Sequence, residues 1–320
     1  MSVPRDLWKR IRRYPNVVGY SGSLQPRIRG GVVVTDEKCI RVYVKKKLPA
    51  IQLKPAHRIP SEIDGIPVDV VEVGEIRALS SPPDRTKKYR PLVGGISIGH
   101  YLTTAGTLGW FAEDSEDGEI VMVSNNHVFA DENKGKKGDP ILQPGPYDGG
   151  VYPVDLAGRL KRFVKINFDE YNCPYRNTLY KLMKPFVSTE NTVDVAIASL
   201  TQPQGEYKIL EVGAPVDKLY DVQVGMSVIK SGRTTGLTQG TVVDTQYNGE
   251  VGYSRGTAFF VDQILVQGTG FSKGGDSGSL ILTTDKKIVG LLFAGSDNYT
   301  VVNKLKNVEE EMGISMLVSK

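Results

Sequence analysis

Cysteine, histidine and tryptophan are all scarce: 320 residues contain 2 Cys, 3 His and 2 Trp. Two cysteines, Cys39 and Cys173, build no disulfide framework, so the fold must rest on its apolar core, and a reducing, cytoplasmic compartment is expected. Cys-x-x-Cys spacing is missing and the histidines are dispersed, so a structural zinc site has no support and no cofactor is expected. No apolar run approaches the roughly 18 residues needed to cross a membrane. Residues 1–18 are basic but lack the apolar stretch of about 7–15 residues found in secretory signals. Neither a membrane partner nor an export route is expected.

Glycine, by contrast, is plentiful at 35 residues, which suits a chain of many turns. Short segments rich in Val, Ile, Thr and Tyr recur at 121–124, 193–200, 224–230, 258–266 and 288–293, and predict mostly β structure. Residues 1–80 read as a small basic α/β domain, with a helix carrying Leu7, Trp8 and Ile11, a strand alternating Ile40, Val42 and Val44, and another at 66–73. Residues 81–90, rich in Pro, Lys and Arg, read as a linker to a domain at 91–320. Val301, Leu305, Val308 and Met312 recur at helical spacing before Gly313, which predicts a packing helix over about 300–313. The stretch 171–185 reads as a variable surface insertion, and 154–168 as additional strands.

Charge is uneven. Residues 1–90 hold 19 Lys or Arg against 9 Asp or Glu, whereas the remainder holds 21 against 27. A nucleic-acid partner is one reading of the basic end. A solvated basic face is favoured over it, because no helix-turn-helix, RNA-binding aromatic motif or zinc finger accompanies the charge.

The most chemically specific segment is Gly274-Gly275-Asp276-Ser277-Gly278-Ser279-Leu280. Glycines on both sides of Ser277 permit a sharp turn that leaves the amides of Gly275 and Ser277 free to point at one spot, which could hold an oxyanion. A serine hydroxyl needs a base, and the base needs an orienting acid. Of the three histidines, His57 lies in a proline-bounded basic loop and His100 near a strand start. His127, in the polar corner Ser124-Asn125-Asn126-His127 after an apolar strand, is the best base. For the acid, Asp194 is placed in an otherwise apolar strand, where a carboxylate without a partner would cost several kcal/mol.

The order His127, Asp194, Ser277, with no Gly-x-Ser-x-Gly because Ser279 replaces the last glycine, disfavours an α/β-hydrolase. Through Asn126-His127-Val128, Asp194-Val195-Ala196 and Gly275-Asp276-Ser277-Gly278-Ser279 the chain resembles the trypsin-like serine peptidases. Segments such as 105–109, 143–146, 230–238 and 290–295 resemble the branch that includes the plant narrow-leaf protein and its prokaryotic relatives.

The resemblance implies two six-stranded antiparallel barrels of the chymotrypsin type, one at about 91–200 and one at about 208–300. It implies Ser277 as nucleophile, His127 as base and then acid, Asp194 as orienter, and Gly275 and Ser277 as oxyanion-hole donors. Phe271 falls where trypsins carry an acid, with Phe293, Ala294 and Gly295 as the opposite wall, so an apolar residue is expected on the acyl side of a cleaved bond. The partners expected are a protein or peptide substrate and further copies of the chain as a homo-oligomer. A peptidase-like binding or assembly module with little or no proteolysis is the alternative. Secreted trypsins are switched on when a freed N-terminus pairs with the aspartate corresponding to Asp276. No activation peptide or cleavage junction is recognisable here, so a constitutively formed pocket or control by residues 1–80 is expected.

Overall fold

In the computed structural model the described residues are 3–29, 32–49, 52–74, 76, 82–168, 190–201 and 205–319. The expected insertion at 171–185, with Cys173, lies outside them. The chain divides into two compact units, 1–81 and 82–320.

The first unit is a five-stranded sheet with one short helix. Its long strand Val32–Val44 pairs in parallel with Ile66–Glu72 and antiparallel with Val17–Tyr20 and Gln25–Arg29. Alternation sends Ile40 and Val42 into a core shared with Val68, Ile63 and Ile66. Helix Leu7–Ile11 closes that core with Leu7 and Ile11, four residues apart on one face, while Trp8 lies half outside against Tyr20.

The second unit is mostly β and holds two curled eight-stranded sheets, the expected chymotrypsin-type pair with two strands added to each. In the later sheet, strands Gly256–Gln267, Gly236–Tyr253, Ser227–Gly232, Leu280–Thr283, Lys287–Gly295 and Tyr299–Lys304 pair in that order. Tyr299–Lys304 pairs back onto Gly256–Gln267 and closes a six-stranded ring. Closure removes the edges that would otherwise expose unpaired backbone groups. The two added strands, Glu190–Asn191 and Asp217–Lys218, attach outside the ring in parallel.

The earlier sheet runs Ile314–Met316, Trp110–Asp114, Ile120–Ser124, Ala196–Leu200, Leu156–Phe163, Pro140–Leu142, Ser97–His100 and Gly106–Thr107. A backbone hydrogen bond from Gly109 N to Val123 O at 3.1 Å draws its free end back onto Ile120–Ser124. Side chains from both sheets, among them Phe111, Val123, Ile197, Leu280 and Leu291, merge in one core.

Three expectations need correction. Residues 82–90 are no linker, because they belong to the second unit. Arg85 is buried there, paired with the Glu211 carboxylate and with Ser231 Oγ at 3.1 Å, and Tyr89 N donates to Gln143 Oε1 at 2.8 Å. The helix expected over 300–313 starts at Leu305, since Tyr299–Lys304 completes the ring as a strand. Val301 faces a core in either conformation, which is why the spacing absorbed it. Gly313, at φ +62°, ends helix Leu305–Met312 and sends Ile314–Met316 across to the earlier sheet. Asp194 is not within a strand: the strand begins at Ala196, and Asp194 sits in the irregular segment before it.

Candidate functional site

Strand Ile120–Ser124 runs straight into the single-turn helix Asn126–Phe129, and that turn carries His127 at the sheet's end. The corner is held by side-chain amides. Asn125 Nδ2 donates to Asp194 O at 2.7 Å, and Asn126 and Asn133 exchange hydrogen bonds at 2.8 and 3.0 Å. Between them the chain takes three successive left-handed residues, Asp131, Glu132 and Asn133, at φ +46°, +52° and +73°. Such a run is costly without glycine and persists only where surrounding bonds fix it.

Asp194 is fully buried and its carboxylate is well supplied with donors. Oδ2 receives His127 Nδ1 at 2.6 Å and the Tyr253 hydroxyl at 2.9 Å, and Oδ1 receives the His127 amide at 3.3 Å. Its own amide donates to Asn303 Oδ1 at 2.9 Å. Burial works against a charged His127, but the Asp194 carboxylate and, more weakly, Glu132 outweigh it, so the imidazole titrates above its ordinary value. Nδ1 is engaged, and Nε2 has no partner within the described residues. About a fifth of the side chain, 21%, is exposed.

Ser277 comes from the other sheet, in the turn between Ser272 and Leu280. Gly275 and Gly278 sit at φ +94° and +91°, where an L side chain is strained. A Cβ at 278 would also stand 2.2 Å from Ser124 Oγ and 2.3 Å from Thr107 O, so glycine there lets the two sheets touch. Thr107 pins the turn, its amide donating to Ser277 O at 2.8 Å and its hydroxyl to Gly275 O at 2.9 Å. The amides of Gly275 and Ser277 donate to nothing among the described residues, whereas those of Asp276, Gly278 and Ser279 are all engaged.

Between Gly275 and Ser277 lies Asp276, fully buried. It accepts from Thr234 N at 2.8 Å, Thr235 N at 3.1 Å, Thr235 Oγ1 at 2.7 Å and Lys273 N at 2.9 Å, with Lys230 Nζ at 3.6 Å. Burial pulls Lys230 down to about 8 despite the opposing pull of Asp276.

A cavity of about 730 Å³ opens beside these groups, with His127 and Ser277 both in its wall. Phe293, Ala294 and Gly295 also line it, as do Val301, Leu265, Glu132 and Glu250. Ser277 Oγ, however, is directed to Phe293 O at 3.4 Å, and no hydrogen bond joins it to His127. Phe271 corrects the sequence reading: it is buried in the later sheet's core against Val228, Val242 and Ile281 and takes no part in the cavity wall. Six residues before Ser277 the chain passes beneath the turn, and the ring packs inward beside Lys230.

Tyr253 was missed. Nothing local marks it among 15 tyrosines; the only hint is that its strand, Gly236–Tyr253, is long. Among the described residues no cluster of three or more His, Cys, Asp or Glu is gathered as a metal would need, and no helix is long and apolar enough to cross a membrane.

Residues 85–316 match the family model described as the Nal1 C-terminal domain. The chain belongs to that family. All of the groups above, from Arg85 to Asn303, fall within the Nal1 C-terminal domain, and the sheet of residues 3–74 falls outside it. No curated protein matches the sequence. Among solved structures, Thermobifida fusca Protease A is 16% identical over 71% of this chain and 99% of that one, with a TM-score of 0.48. Nocardiopsis Protease is 16% identical over 70% and 98%, also at 0.48. The MamO protease domain from Magnetospirillum magneticum is 10% identical over 69% and 95%, at 0.38. Likenesses this distant add nothing to what the Nal1 C-terminal domain's own sheets establish.

Proposed function

We propose that the protein is a serine endopeptidase that hydrolyses peptide bonds through an acyl-enzyme. The observation that carries the reading is the His127–Asp194 pair: Nδ1 bound at 2.6 Å, Nε2 without a partner among the described residues, and Ser277 in the wall of the same cavity. With Nδ1–H donated to Asp194, the lone pair resides on Nε2. Ser277 Oγ turns from the Phe293 carbonyl to Nε2, gives up its proton and attacks the substrate carbonyl carbon. The two free amides of Gly275 and Ser277 receive the negative oxygen. His127 then passes the proton to the leaving amine as the C–N bond breaks. Water, deprotonated at the same nitrogen, cleaves the ester and restores Ser277.

Phe293, Ala294, Leu265 and Val301 give the cavity an apolar wall, which favours an apolar residue on the acyl side. The internal donors around Asp276 favour a turn formed without a freed N-terminus. The paucity of cysteine fits work in a reducing, cytoplasmic setting. One observation favours a second reading, a peptide-binding module without turnover: the Ser277 hydroxyl lies on Phe293 O and not on the imidazole.

A fluorophosphonate decides between them. Wild type is expected to be labelled and Ser277→Ala to remain unlabelled; equal labelling of both, or of neither, would sink the peptidase reading.

A further inference from the structure

We propose that Tyr253 is a positioning residue for the candidate triad, its phenol fixing the Asp194 carboxylate in the orientation that His127 Nδ1 meets. This rests on the peptidase reading for its purpose but not for its geometry. Three donors reach the carboxylate. Two of them, the amide and Nδ1, belong to His127 itself, and the third is Tyr253. Among the described residues Tyr253 is thus the one donor to the carboxylate that comes from outside residue 127. It bonds the same oxygen as Nδ1, at 2.9 Å against 2.6 Å.

The ring restrains the imidazole as well. It meets His127 edge-on, with centroids 5.9 Å apart and planes at 67°, and is itself held by Phe168 at 5.6 Å and Phe260 at 6.2 Å. A phenol wedged among aromatic rings has few orientations open to its hydroxyl. Burial and the neighbouring Asp194 charge hold the phenol's proton well above the ordinary range, so it remains a donor wherever the imidazole titrates.

The chain goes to some length to put Tyr253 there. Strands Gly236–Tyr253 and Gly256–Gln267 continue past the closed ring as a two-stranded arm, pairing Gly249 with Phe260 through Tyr253 with Gly256. The tip is anchored on the opposite sheet's loop. Ser254 N and Oγ donate to the Glu132 carboxylate at 3.0 and 2.6 Å, and Arg255 Nη1 donates to Glu132 O at 2.7 Å. The Arg255 guanidinium also covers the Phe168 ring at 5.5 Å. Glu132 is the middle of the three left-handed residues that follow the His127 turn. The arm therefore joins the histidine's loop and the acid through one element, a use for both the long hairpin and the strained loop.

Tyr253→Phe in the full chain keeps the ring and deletes only the hydroxyl. The charged and titratable groups facing His127 are Asp194, Glu132 and Tyr253, so the imidazole reports the change directly. Without the phenol the Asp194 charge is less dispersed and holds the imidazolium more firmly. The His127 titration, followed by nuclear magnetic resonance of labelled histidine, is expected to move up by about half a unit or more. Fluorophosphonate reactivity per folded molecule falls about tenfold or more, because the base is less well held. Arg255→Ala, which loosens the tip and leaves the phenol in place, moves the same titration less; it also serves as the readout should Tyr253→Phe not fold. A moved titration upholds the positioning role even where wild type fails to react with the probe, a failure that would remove the peptidase reading alone. An unmoved titration overturns the role, whatever the reactivity.

Discussion

The earlier sheet holds two histidine–aspartate pairs, and they differ in what the second ring nitrogen does. His100, the last residue of strand Ser97–His100, places Nε2 3.1 Å from Asp139 Oδ2 and accepts the Leu102 amide on Nδ1 at 3.3 Å. Only 2% of its side chain is exposed. Both nitrogens are committed and the ring is almost fully buried, so the pair ties a turn. His127 has the same kind of partner, yet its Nε2 has none among the described residues, and the residue lines a cavity that Ser277 also borders. A carboxylate beside an imidazole is therefore no mark of a base. The vacant nitrogen and its access are.

Substituting each histidine is the most forceful way to break this distinction. His127→Ala is expected to lower hydrolysis of a reactive ester by about 10⁴-fold or more per folded molecule. His100→Ala is expected to keep activity per folded molecule while losing roughly 1–3 kcal/mol, since it strands the Leu102 amide and leaves Asp139 Oδ2 with only the Lys136 amide. That loss would lower the midpoint by about 2–4 °C for each kcal/mol in a domain of this size. If His100→Ala abolished hydrolysis without melting the protein earlier, the two pairs would have been assigned the wrong way round.

The acids give a smaller contrast. Asp194→Asn is expected to cost around 10⁴-fold in turnover by stabilising the wrong tautomer, whereas Asp139→Asn should leave turnover near wild type; steady-state kinetics on both variants would separate them. Smaller still is the effect of pH. Because His127 titrates above its ordinary value and must be neutral to accept a proton, reactivity should climb with pH through a midpoint above 6.5. The same shift makes the charged pair stabilising below pH 6.5, a contribution lost as pH rises through the folded-state value. Lys230 has the opposite sign. Lowered from 10.5 to about 8, its burial as a cation opposes folding below pH 8, and that opposition fades toward pH 10.5. Denaturation curves across that interval should show stability rising from this group in wild type, and Lys230→Met should abolish the increment.

The candidate residues His127, Asp194 and Ser277 could be picked out because their types are rare and their surroundings unusual: three histidines to choose among, one carboxylate in an apolar run, one serine in a glycine turn. The paired barrels followed from the order of those motifs. Other features were invisible for physical reasons. Arg85 was read as part of a linker since its neighbours are Pro, Ser and Lys, and burial of a guanidinium depends on Glu211 and Ser231, 126 and 146 residues away. Phe271 was placed by counting back from Ser277, but counting fixes distance along the chain and not the side to which a ring turns. Tyr253 gave no local sign because its role exists only where the tip of one hairpin meets the loop of another sheet.

Strand Ile314–Met316 carries a consequence for how the molecule comes into being. It pairs with Trp110–Asp114, and Leu317 O accepts the Trp110 indole N–H at 2.7 Å. A ribosome emits chain at about 5–20 residues per second, so some 200 residues separate the birth of the two partners by at least ten seconds. Throughout that interval the earlier sheet has a bare edge and Trp110 lacks its acceptor. The later ring, whose six strands lie within 227–304, can close before it. Completion of the earlier sheet therefore waits on residues 314–316, which follow the last strand of the later ring by only about ten residues.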